Sequence, residues 1–527
     1  TINNSRDYIF NELVSGHYDA VCFSCYIWNI RQTAELASDL KKAAPRCRIL
    51  FGGPEGSYDA EAFLEEHPYV DFLIAGEGEI SFEKWCRAFN GDGSYSQVPG
   101  LFFRDAAGIF AGPAQEAAAF ASIPFPYSSF PCEADKVIYY ESARGCPFSC
   151  SYCLSSIDKK LRFRDINLVK KELQFFLDHK VPQVKFVDRT FNCKHDHAMA
   201  IWQYIKDHDN GITNFHFEIS ADLIRENELE LMSTMRPGLI QLEIGVQSTN
   251  DATITEIHRT MQLDRLKAVV RSIQEKENIH EHLDLIAGLP YEGYETFARS
   301  FDEIYALKPN QLQLGFLKVL KGSYMYEHAT EYGLIYRSRP PYEVLKTNWL
   351  KFGEILRIRQ VEEMLEVYYN SGQYATAIRL LETQYASAFA MFAELGTFYE
   401  EHGYFGMGHS RMRRAEILLE FAKERKPGLL PVLGEGLVYD LYERENLGSR
   451  PSWAADANEW KQIARRYGKK GKQSHIERFF YRFSGHRQDT ASLPERLEEP
   501  VYVRFDYTGR DPLDHQARHE YLEPSGE

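Results

Sequence analysis

The sequence predicts an α/β protein with two sheet-containing parts, followed by a mainly helical C-terminal region. Short buried strands alternate with amphipathic helices over residues 18–80, and the same alternation returns with six strands over residues 137–316. The strand pattern stops near residue 340. Alternation of this kind is typical of parallel sheets with helices packed on their faces. We therefore expect a doubly wound, Rossmann-like sheet, then a partial (β/α)6 barrel of the TIM type, then helices.

Composition limits the class of protein. The 527 residues are 44% hydrophobic and 26% charged, which predicts several ordinary globular domains. No apolar run approaches the ~18 residues that a membrane span needs. The net charge of −15 argues against indiscriminate nucleic-acid binding. Nine cysteines in so long a chain do not indicate a secreted disulfide scaffold, so we expect a cytoplasmic protein. Because the chain opens at Thr1, we expect residues upstream, where a targeting signal would lie.

Glycines follow two of the predicted strands in the first part. Gly52-Gly53-Pro54-Glu55 comes after the strand over residues 48–51, and Gly76-Glu77-Gly78 after the strand over residues 70–75. The carboxyl ends of parallel strands meet at one edge of a sheet, where glycine lets a ligand approach the backbone. A generic Rossmann-like domain with ordinary glycine turns explains the same pattern. Cys22 and Cys25 lie in a predicted strand, and we interpret them as structural.

Three closely spaced cysteines follow the first strand of the second part. Cys146, Cys150 and Cys153 form a CxxxCxxC pattern after the strand-like run over residues 136–141. Thiolates are natural ligands of iron–sulfur clusters, and three of them leave one iron of a [4Fe–4S] cluster open. Three buried cysteines without a ligand, or a zinc site that lacks its fourth ligand, remain the alternatives.

Polar residues also stand at the ends of later predicted strands. Active sites of α/β barrels lie at the carboxyl ends of the strands. There, ionised carboxylates can accept hydrogen bonds from diols, and an arginine can pair with a carboxylate through two bonds. Ion pairs within the protein are the structural alternative. Asp188-Arg189-Thr190 and Gln247 follow predicted strands, and Glu218 and Asp284 lie within them.

The cysteine pattern, with Tyr152 just before its last cysteine, resembles the radical S-adenosylmethionine (SAM) superfamily. The resemblance implies that Cys146, Cys150 and Cys153 hold a [4Fe–4S] cluster whose open iron binds SAM. The SAM contacts implied by the resemblance are Tyr152, Asp188, Arg189, Thr190, Glu218, Gln247, Arg259, Asp284 and Leu289. Asp188-Arg189-Thr190 stands where the family has a Gly-Gly-Glu-type element, whose glycines are absent here.

The first part resembles the cobalamin-binding domains that precede many radical SAM cores. Ser24 and Gly52 have the spacing of the Ser-x-Leu and Gly-Gly elements of those domains, with Tyr26 in place of the leucine. The Asp-x-His-x-x-Gly element would fall before Thr1, together with the first strand and the lower axial ligand of cobalt. The cobalamin contacts implied by the resemblance are Ser24, Tyr26, Trp28, Gly52, Gly53, Pro54, Glu55, Gly76, Glu77 and Gly78.

The last third has no recognised motif. We expect domains over residues 1–130, 131–337 and 338–527, with helices over 344–369, 374–399 and 409–424 and a late strand over 501–507. Basic and aromatic residues alternate in one stretch, which could bind RNA or be a solvated basic helix. We call it the basic-aromatic stretch: Lys461, Arg465, Arg466, Lys469, Lys470, Lys472, Arg478, Phe479, Phe480, Tyr481, Arg482, Phe483 and Arg487. The domain order resembles cobalamin-binding radical SAM proteins that carry an uncharacterised, mainly helical C-terminal extension.

The resemblance implies a cobalamin-dependent methyltransferase that uses a 5′-deoxyadenosyl radical and methylcobalamin on an unactivated centre. Cyclisation or rearrangement without net methyl transfer, tRNA methylation and a non-enzymatic cofactor sensor are the alternatives. A small molecule or peptide is the first expected substrate, RNA the second, and a flavodoxin- or ferredoxin-type reductant the expected partner. The sequence assigns no catalytic acid or base.

Overall fold

A computed structural model describes residues 4–115, 117–129, 136–469, 473–484 and 491–522. The N-terminal elements are α1 (Arg6–Ser15), β1 (Ala20–Ser24), α2 (Ile30–Ala43), β2 (Arg48–Gly52), α3 (Pro54–Ser57), α4 (Ala60–Glu66), β3 (Phe72–Ile74), α5 (Glu79–Phe89), β4 (Leu101–Asp105) and β5 (Gly108–Ala111). They form a sheet in the order β1-β2-β3-β4-β5. Strands β1 to β3 are parallel, as predicted, and the β4–β5 hairpin adds antiparallel strands.

The middle of the chain folds around a six-stranded sheet. Its elements are β6 (Ile138–Tyr140), β7 (Ala143–Arg144), β8 (Arg162–Phe163), α6 (Ile166–Asp178), β9 (Gln183–Phe186), α7 (His195–Asp207), β10 (Asn214–Ile219), α8 (Glu226–Ser233), β11 (Ile240–Gln247), α9 (Asp251–Glu256), α10 (Leu263–Gln274), β12 (His280–Ala287), α11 (Tyr294–Tyr305) and β13 (Gln311–Phe316). The sheet order is β6-β9-β10-β11-β12-β13, and every pair is parallel. The six predicted barrel strands are confirmed.

The described C-terminal region is mainly helical, with a two-stranded sheet and a three-stranded sheet. Its elements are α12 (Tyr324–Glu327), β14 (Ile335–Tyr336), β15 (Val344–Lys346), α13 (Phe352–Leu365), α14 (Ala375–Glu382), α15 (Ala388–Glu401), α16 (Arg411–Arg425), α17 (Leu430–Arg444), α18 (Lys461–Tyr467), β16 (Ser474–Phe479), β17 (Val501–Arg510) and β18 (Ala517–Leu522). The sheet orders are β14-β15 and β16-β17-β18. The longest helices run 15 residues. In the described part of the chain, no helix is long and apolar enough to cross a bilayer.

Three details of the C-terminal prediction were wrong. The predicted helix over 344–369 begins instead with strand β15, and helix α13 starts only at Phe352. The predicted helix over 374–399 is two helices, α14 and α15, separated by a turn. The predicted late strand is not alone, because β17 pairs with β16 and β18 in an antiparallel sheet. Strand β16 lies inside the basic-aromatic stretch, and its buried side chains Ile476, Glu477 and Phe479 do not alternate along the sequence, so no strand pattern is visible there.

The described residues divide into two compact units. One comprises those of Thr1–Pro131, Gly145–Leu168 and Leu317–Thr347, and the other those of Cys132–Arg144, Val169–Phe316 and Asn348–Glu527. The units do not follow the linear order of the predicted domains, whose division stays a prediction, and residue 131 lies outside the described residues. The cysteine loop therefore belongs to the unit of the N-terminal sheet, which we call the first unit. The six-stranded sheet belongs to the second unit.

The six-stranded sheet has an apolar face and a polar face. In β11, the side chains of Ile240, Leu242, Ile244 and Val246 are fully buried. They alternate with the partly exposed Gln241, Glu243, Gly245 and Gln247. Because successive side chains of a strand point to opposite faces, the polar set shares one face. This polar face carries three of the candidate SAM residues, Glu218, Gln247 and Asp284.

Candidate cofactor site

The cysteine loop is held by backbone contacts within the first unit. Gly145 has φ of +93°, and a Cβ there would lie 2.6 Å from the carbonyl oxygen of Lys160, so glycine is required just before Cys146. The Cys146 N–H donates to the Asp158 carbonyl oxygen at 3.1 Å, and the Cys153 N–H to the Cys150 carbonyl oxygen at 3.1 Å.

The residues of this loop fit an iron–sulfur cluster. Cys146 and Cys150 are buried, Cys153 is partly exposed, and none forms a disulfide. The buried hydroxyl of Ser151 has no hydrogen-bond partner among the described residues. In that part of the chain, no three His, Cys, Asp or Glu side chains are arranged around a single metal ion. A cubane cluster does not require that arrangement, since each cysteine ligates a different iron. Tyr152 is partly exposed in the same loop.

Glycine turns line the carboxyl edge of β1, β2 and β3. Gly53 has φ of +107°, and a Cβ there would lie 2.6 Å from the Cys25 carbonyl oxygen. A Cβ on Gly52 would meet only the Ile74 carbonyl oxygen at 3.9 Å, and one on Gly78 would meet no atom within 4 Å in the described part. Gly52 and Gly78 therefore leave open space at the edge where α/β sheets bind nucleotide-like ligands.

Exposed aromatic side chains stand beside these turns. Tyr26 and Trp28 follow β1, are 37% and 64% exposed, and stack with ring centroids 4.4 Å apart. Asn29 fixes their loop by donating to the Ser24 carbonyl oxygen at 2.8 Å. Large exposed aromatic surface next to open glycine turns suits a flat, partly apolar ligand such as a corrin. The predicted cobalamin residues therefore fit the cofactor.

Ser57, which the sequence analysis did not single out, joins the two glycine turns. Its hydroxyl donates to the Gly53 carbonyl oxygen at 2.8 Å and accepts from the Gly76 N–H at 3.0 Å. Gly76 has φ of +85°, a conformation that favours glycine. Ser57 therefore fixes the relative position of the turns.

Within the first unit, the glycine turns contact the cysteine-loop segment. Arg162 forms a two-bond ion pair with the Glu77 carboxylate, one bond of which is 3.0 Å. Arg162 also reaches Asp158 at 3.1 Å. The Glu77 side chain is therefore engaged by Arg162, and its carbonyl oxygen accepts from the Gln115 side chain, so its contact with cobalamin stays a prediction.

The segment over residues 317–347 contacts both features of the first unit. The Tyr342 hydroxyl donates to the Glu55 carboxylate at 2.7 Å, and the Met325 N–H donates to the Ser151 carbonyl oxygen at 3.1 Å. Burial raises the pKa of Glu55, while the Tyr342 bond and Lys321 oppose the shift. The Tyr58 ring lies against Gly322, and burial and the nearby Cys153 raise the pKa of Tyr58. The cysteine loop and the glycine turns thus form one connected site.

In the second unit, two candidate SAM residues have unused hydrogen-bonding capacity. The Glu218 carboxylate forms no hydrogen bond with any described residue, and burial and the Glu243 charge raise the pKa of Glu218 to about 7. The amide oxygen Oε1 of Gln247 is buried without a partner in the same part of the chain. Buried polar groups normally have partners. This orphaned capacity fits a polar ligand such as SAM.

A bulge brings Arg259 to the same strand end. The β11–β12 register shifts between Gly245 and Gln247, and Gln247 has φ of +74°. The Arg259 guanidinium donates to the Gly245 carbonyl oxygen. Bulges redirect side chains near functional sites. Gln247 and Arg259 therefore both lie beside Gly245, and their contact with SAM stays a prediction.

Asp188 is placed differently from a direct ligand. Its carboxylate is buried and accepts the Ser142 N–H at 2.7 Å and the Ser142 hydroxyl at 2.6 Å. Burial raises the pKa of Asp188 to about 7. Both carboxylate oxygens of Asp188 accept hydrogen bonds from Ser142. This geometry favours a role for Asp188 in positioning the chain after β6, and not a contact with SAM. Arg189 beside it is exposed, Thr190 is buried, and Leu289 is fully buried.

A charged cluster on the polar face was not predicted. Lys185 lies 2.9 Å from the Glu243 carboxylate and His216 lies 3.0 Å from it. Although burial opposes the shift, these two neighbours lower the pKa of Glu243 to about 2. His282 lies 3.1 Å from Asp284, whose pKa is raised by burial. The strand register places these residues side by side, but the sequence pattern does not show which charges pair.

The basic-aromatic stretch forms a core in the second unit. Phe479, Tyr481 and Phe483 are buried, so they cannot stack on bases. The Arg478 guanidinium lies 5.0 Å from the Trp460 ring centroid and pairs with Glu459 at 2.7 Å. This arrangement favours the structural interpretation, although the stretch forms a strand as well as a helix. Lys470, Lys472 and Arg487 lie outside the described residues.

Three family models match the chain. The B12 binding domain matches residues 1–85 and the radical SAM superfamily matches residues 140–304. A family described as a protein of unknown function (DUF4080) matches residues 330–492.

Individual proteins are similar over the same regions. The cobalamin-dependent radical SAM methyltransferase TokK of Streptomyces tokunonensis is 27% identical over 53% of this chain and 44% of its own. An anaerobic magnesium-protoporphyrin IX monomethyl ester cyclase of Synechocystis sp. is 21% identical over 55% of this chain and 60% of its own. The chain thus spans less than two thirds of either relative. The solved structure of the cobalamin-dependent SAM radical enzyme OxsB with aqua-cobalamin has a TM-score of 0.53 at 14% identity, covering 85% of this chain and 71% of that one.

These matches confirm the predicted fold and the predicted cofactors. The radical SAM domain implies a [4Fe–4S] cluster and SAM, and the B12 binding domain implies cobalamin. The likeness to OxsB shows the same fold. The chain therefore has the domain composition of a cobalamin-binding radical SAM protein.

Proposed function

We propose that this protein is a cobalamin-dependent radical SAM methyltransferase that acts on an unactivated centre of a small molecule or peptide. The observation that carries the proposal is the connected site of the first unit, where Arg162 joins the cysteine-loop segment to the glycine turn at Glu77. An iron–sulfur loop and a cobalamin edge joined in this way suit a reaction that needs both cofactors. The name of the TokK relative supports the same reaction.

The proposal assigns three sets of residues to the three cofactors. Cys146, Cys150 and Cys153 hold the cluster, the glycine turns and Tyr26 hold cobalamin, and Glu218, Gln247 and Arg259 hold SAM. When bound, these cofactors supply a 5′-deoxyadenosyl radical and a transferable methyl group. The burial of Cys146 and Cys150 limits access of water and oxygen to the cluster. No side chain is proposed as a catalytic acid or base.

We also propose three domains, over residues 1–130, 131–337 and 338–527. The proposed reaction needs a one-electron donor, for which we propose a flavodoxin- or ferredoxin-type protein. A cluster of this kind suits the reducing cytoplasm.

A second function has its own support. The Synechocystis relative is a cyclase, so a cyclisation or rearrangement without net methyl transfer is the competing reaction. tRNA methylation ranks lower, because the aromatic side chains of the basic-aromatic stretch are largely buried. A cofactor sensor without activity ranks last.

Methyl-labelled SAM separates these functions. The full chain, reconstituted anaerobically with iron, sulfide and cobalamin, is reduced and incubated with small-molecule extracts, and products are compared by mass spectrometry. We expect a product that gains one labelled methyl group. A new product without the label would show that the reaction is a cyclisation or rearrangement and not methyl transfer. Failure to cleave SAM under strong reductant would leave only the sensor.

A further inference from the structure

A cavity in the C-terminal region lies apart from the residues assigned to the cofactors. It encloses about 590 Å³ between α16, α17, the loop before α18 and the end of β16, all within the second unit. This volume is in the range of small-molecule sites. Leu419, Val438 and Trp453 form an apolar wall, and the Trp453 indole N–H is fixed by the Gly434 carbonyl oxygen at 3.1 Å.

Three of the charged side chains that line the cavity form ion pairs with residues that do not line it. Arg413 reaches the lining residue Glu420 at 2.7 Å. Arg450 forms two bonds of 2.7 Å with the lining residue Glu477. The lining residue Arg478 pairs with Glu459.

Two further cations of the lining are exposed. Lys423 and Arg496 form no hydrogen bond or ion pair with any residue that the structure describes. The Arg496 guanidinium lies 4.6 Å from the Phe480 ring centroid, and the adjacent Leu497 N–H donates to the Phe480 carbonyl oxygen at 2.8 Å.

The remaining acid of the lining, Glu435, is engaged with the backbone. Its carboxylate accepts the Phe480 N–H at 2.7 Å; burial raises its pKa, while this bond and the positive charges of Arg496 and Arg478 oppose the shift. Glu435 therefore offsets part of the charge of Arg496, and Lys423 supplies the remaining positive charge. The cavity thus has an apolar wall and a net positive charge.

We propose that this cavity binds a small organic acid with a flat apolar body. The carboxylate of the ligand meets Arg496 and Lys423, because a guanidinium forms its strongest hydrogen bonds with an anion. The flat body lies against Trp453 and the aliphatic wall, where apolar area is removed from water. The site requires neither the cluster nor cobalamin, so it stands apart from the proposed reaction.

The charge preference is tested with two probes of equal shape, 1-naphthoate and the neutral 1-naphthamide. Both are titrated by calorimetry against the full-length protein. We expect naphthoate to bind at one site roughly tenfold more tightly than naphthamide, as one charge-assisted contact predicts. Double substitution K423A/R496A should remove that preference. The matched control K461A/R465A, which neutralises two exposed cations of α18, should keep it.

The location is tested separately by filling the cavity. A Cβ on Gly434 would have ordinary contacts, 3.8 Å from Trp453 and 4.0 Å from Leu419, both of which line the cavity. G434L should therefore fold, as judged by circular dichroism, and lose naphthoate binding. Equal binding of the two probes, a preference that survives K423A/R496A, or binding that survives in folded G434L would overturn the proposal. No binding of naphthoate to the unaltered protein would overturn it as well.

Discussion

The polar face of the six-stranded sheet and the basic-aromatic stretch contain similar residue types, but they use them differently. On the sheet, Glu218 and the Gln247 amide oxygen have no hydrogen-bond partner among the described residues. In the stretch, Arg478 lies over Trp460 and pairs with Glu459, and Phe479 is buried. Charged and aromatic residues alone therefore do not distinguish a ligand site from a core. Unused hydrogen-bonding capacity at the carboxyl edge of the sheet is the additional feature of the first region.

The cysteine loop gives the largest expected effect. The triple substitution C146A/C150A/C153A removes all proposed cluster ligands, so iron after anaerobic reconstitution should fall from about four atoms per chain to background. Iron and sulfide analysis measures this. C86S, in helix α5, is the control and should keep the iron. An unchanged iron content in the triple variant would show that other residues hold the cluster.

Gly52 tests the cobalamin edge with an effect that is nearly as large. The space beside Gly52 is open, so valine there should fold but occupy the ligand position. We expect cobalamin affinity to fall roughly 100-fold, about 2.7 kcal/mol, in an equilibrium titration of G52V. G91A, at a positive φ of +87° without close neighbours in the described part, should bind normally. Normal binding by folded G52V would place cobalamin elsewhere.

Glu243 tests whether the charged cluster supports the sheet. Its pKa lies at about 2, below the ordinary carboxyl value of 4.5, so its stabilising effect is complete above pH 4.5 and is lost as the pH falls towards 2. We expect E243Q to lower the free energy of unfolding at pH 7 by about 3 kcal/mol. The loss of stability between pH 4.5 and 2 should become shallower in E243Q than in the unaltered protein.

Denaturant unfolding at several pH values measures both effects. Substitution E275Q, at an exposed position, should leave the pH dependence unchanged. If the free energy of unfolding of E243Q fell as steeply between pH 4.5 and 2 as that of the unaltered protein, another carboxylate would be responsible for the acid sensitivity.

Glu218 tests whether a residue of the polar face without a hydrogen-bond partner binds SAM. Glutamine has nearly the same size but is a weaker acceptor for a ribose diol, so SAM affinity of E218Q should fall roughly tenfold. Isothermal titration of the reconstituted protein with SAM measures this change. E230Q, in helix α8, serves as the control. An E218Q variant with unchanged affinity would make Glu218 a structural residue despite its missing partner.

The basic-aromatic stretch should give the smallest effect. If its arginines serve the fold, R465A/R466A should change the affinity for tRNA by less than about twofold at physiological salt. An electrophoretic shift assay over a salt series provides the measurement. A salt-dependent shift that disappears in R465A/R466A would make the stretch an RNA site and reverse the comparison.

The local patterns predicted the strands and the ligand types, but not the long-range pairs. Strands β2 and β17 begin where the sequence analysis placed them, at residues 48 and 501, because runs of β-branched and aromatic residues have a clear local pattern. The Tyr342–Glu55 bond joins residues 287 positions apart, and the Arg162–Glu77 pair joins residues 85 positions apart. Such partners are selected by the tertiary fold, so no local pattern identifies them. The same limit applies to the role of Asp188, whose burial was not visible in the sequence.

Electron paramagnetic resonance of the reduced, anaerobic protein, with and without SAM, tests the central claim most directly. Three cysteine ligands leave one iron open, so the account predicts a [4Fe–4S] signal whose g values shift when SAM binds and which is absent from C146A/C150A/C153A. A reduced-cluster signal that SAM leaves unchanged, or no such signal from the reconstituted protein, would contradict it.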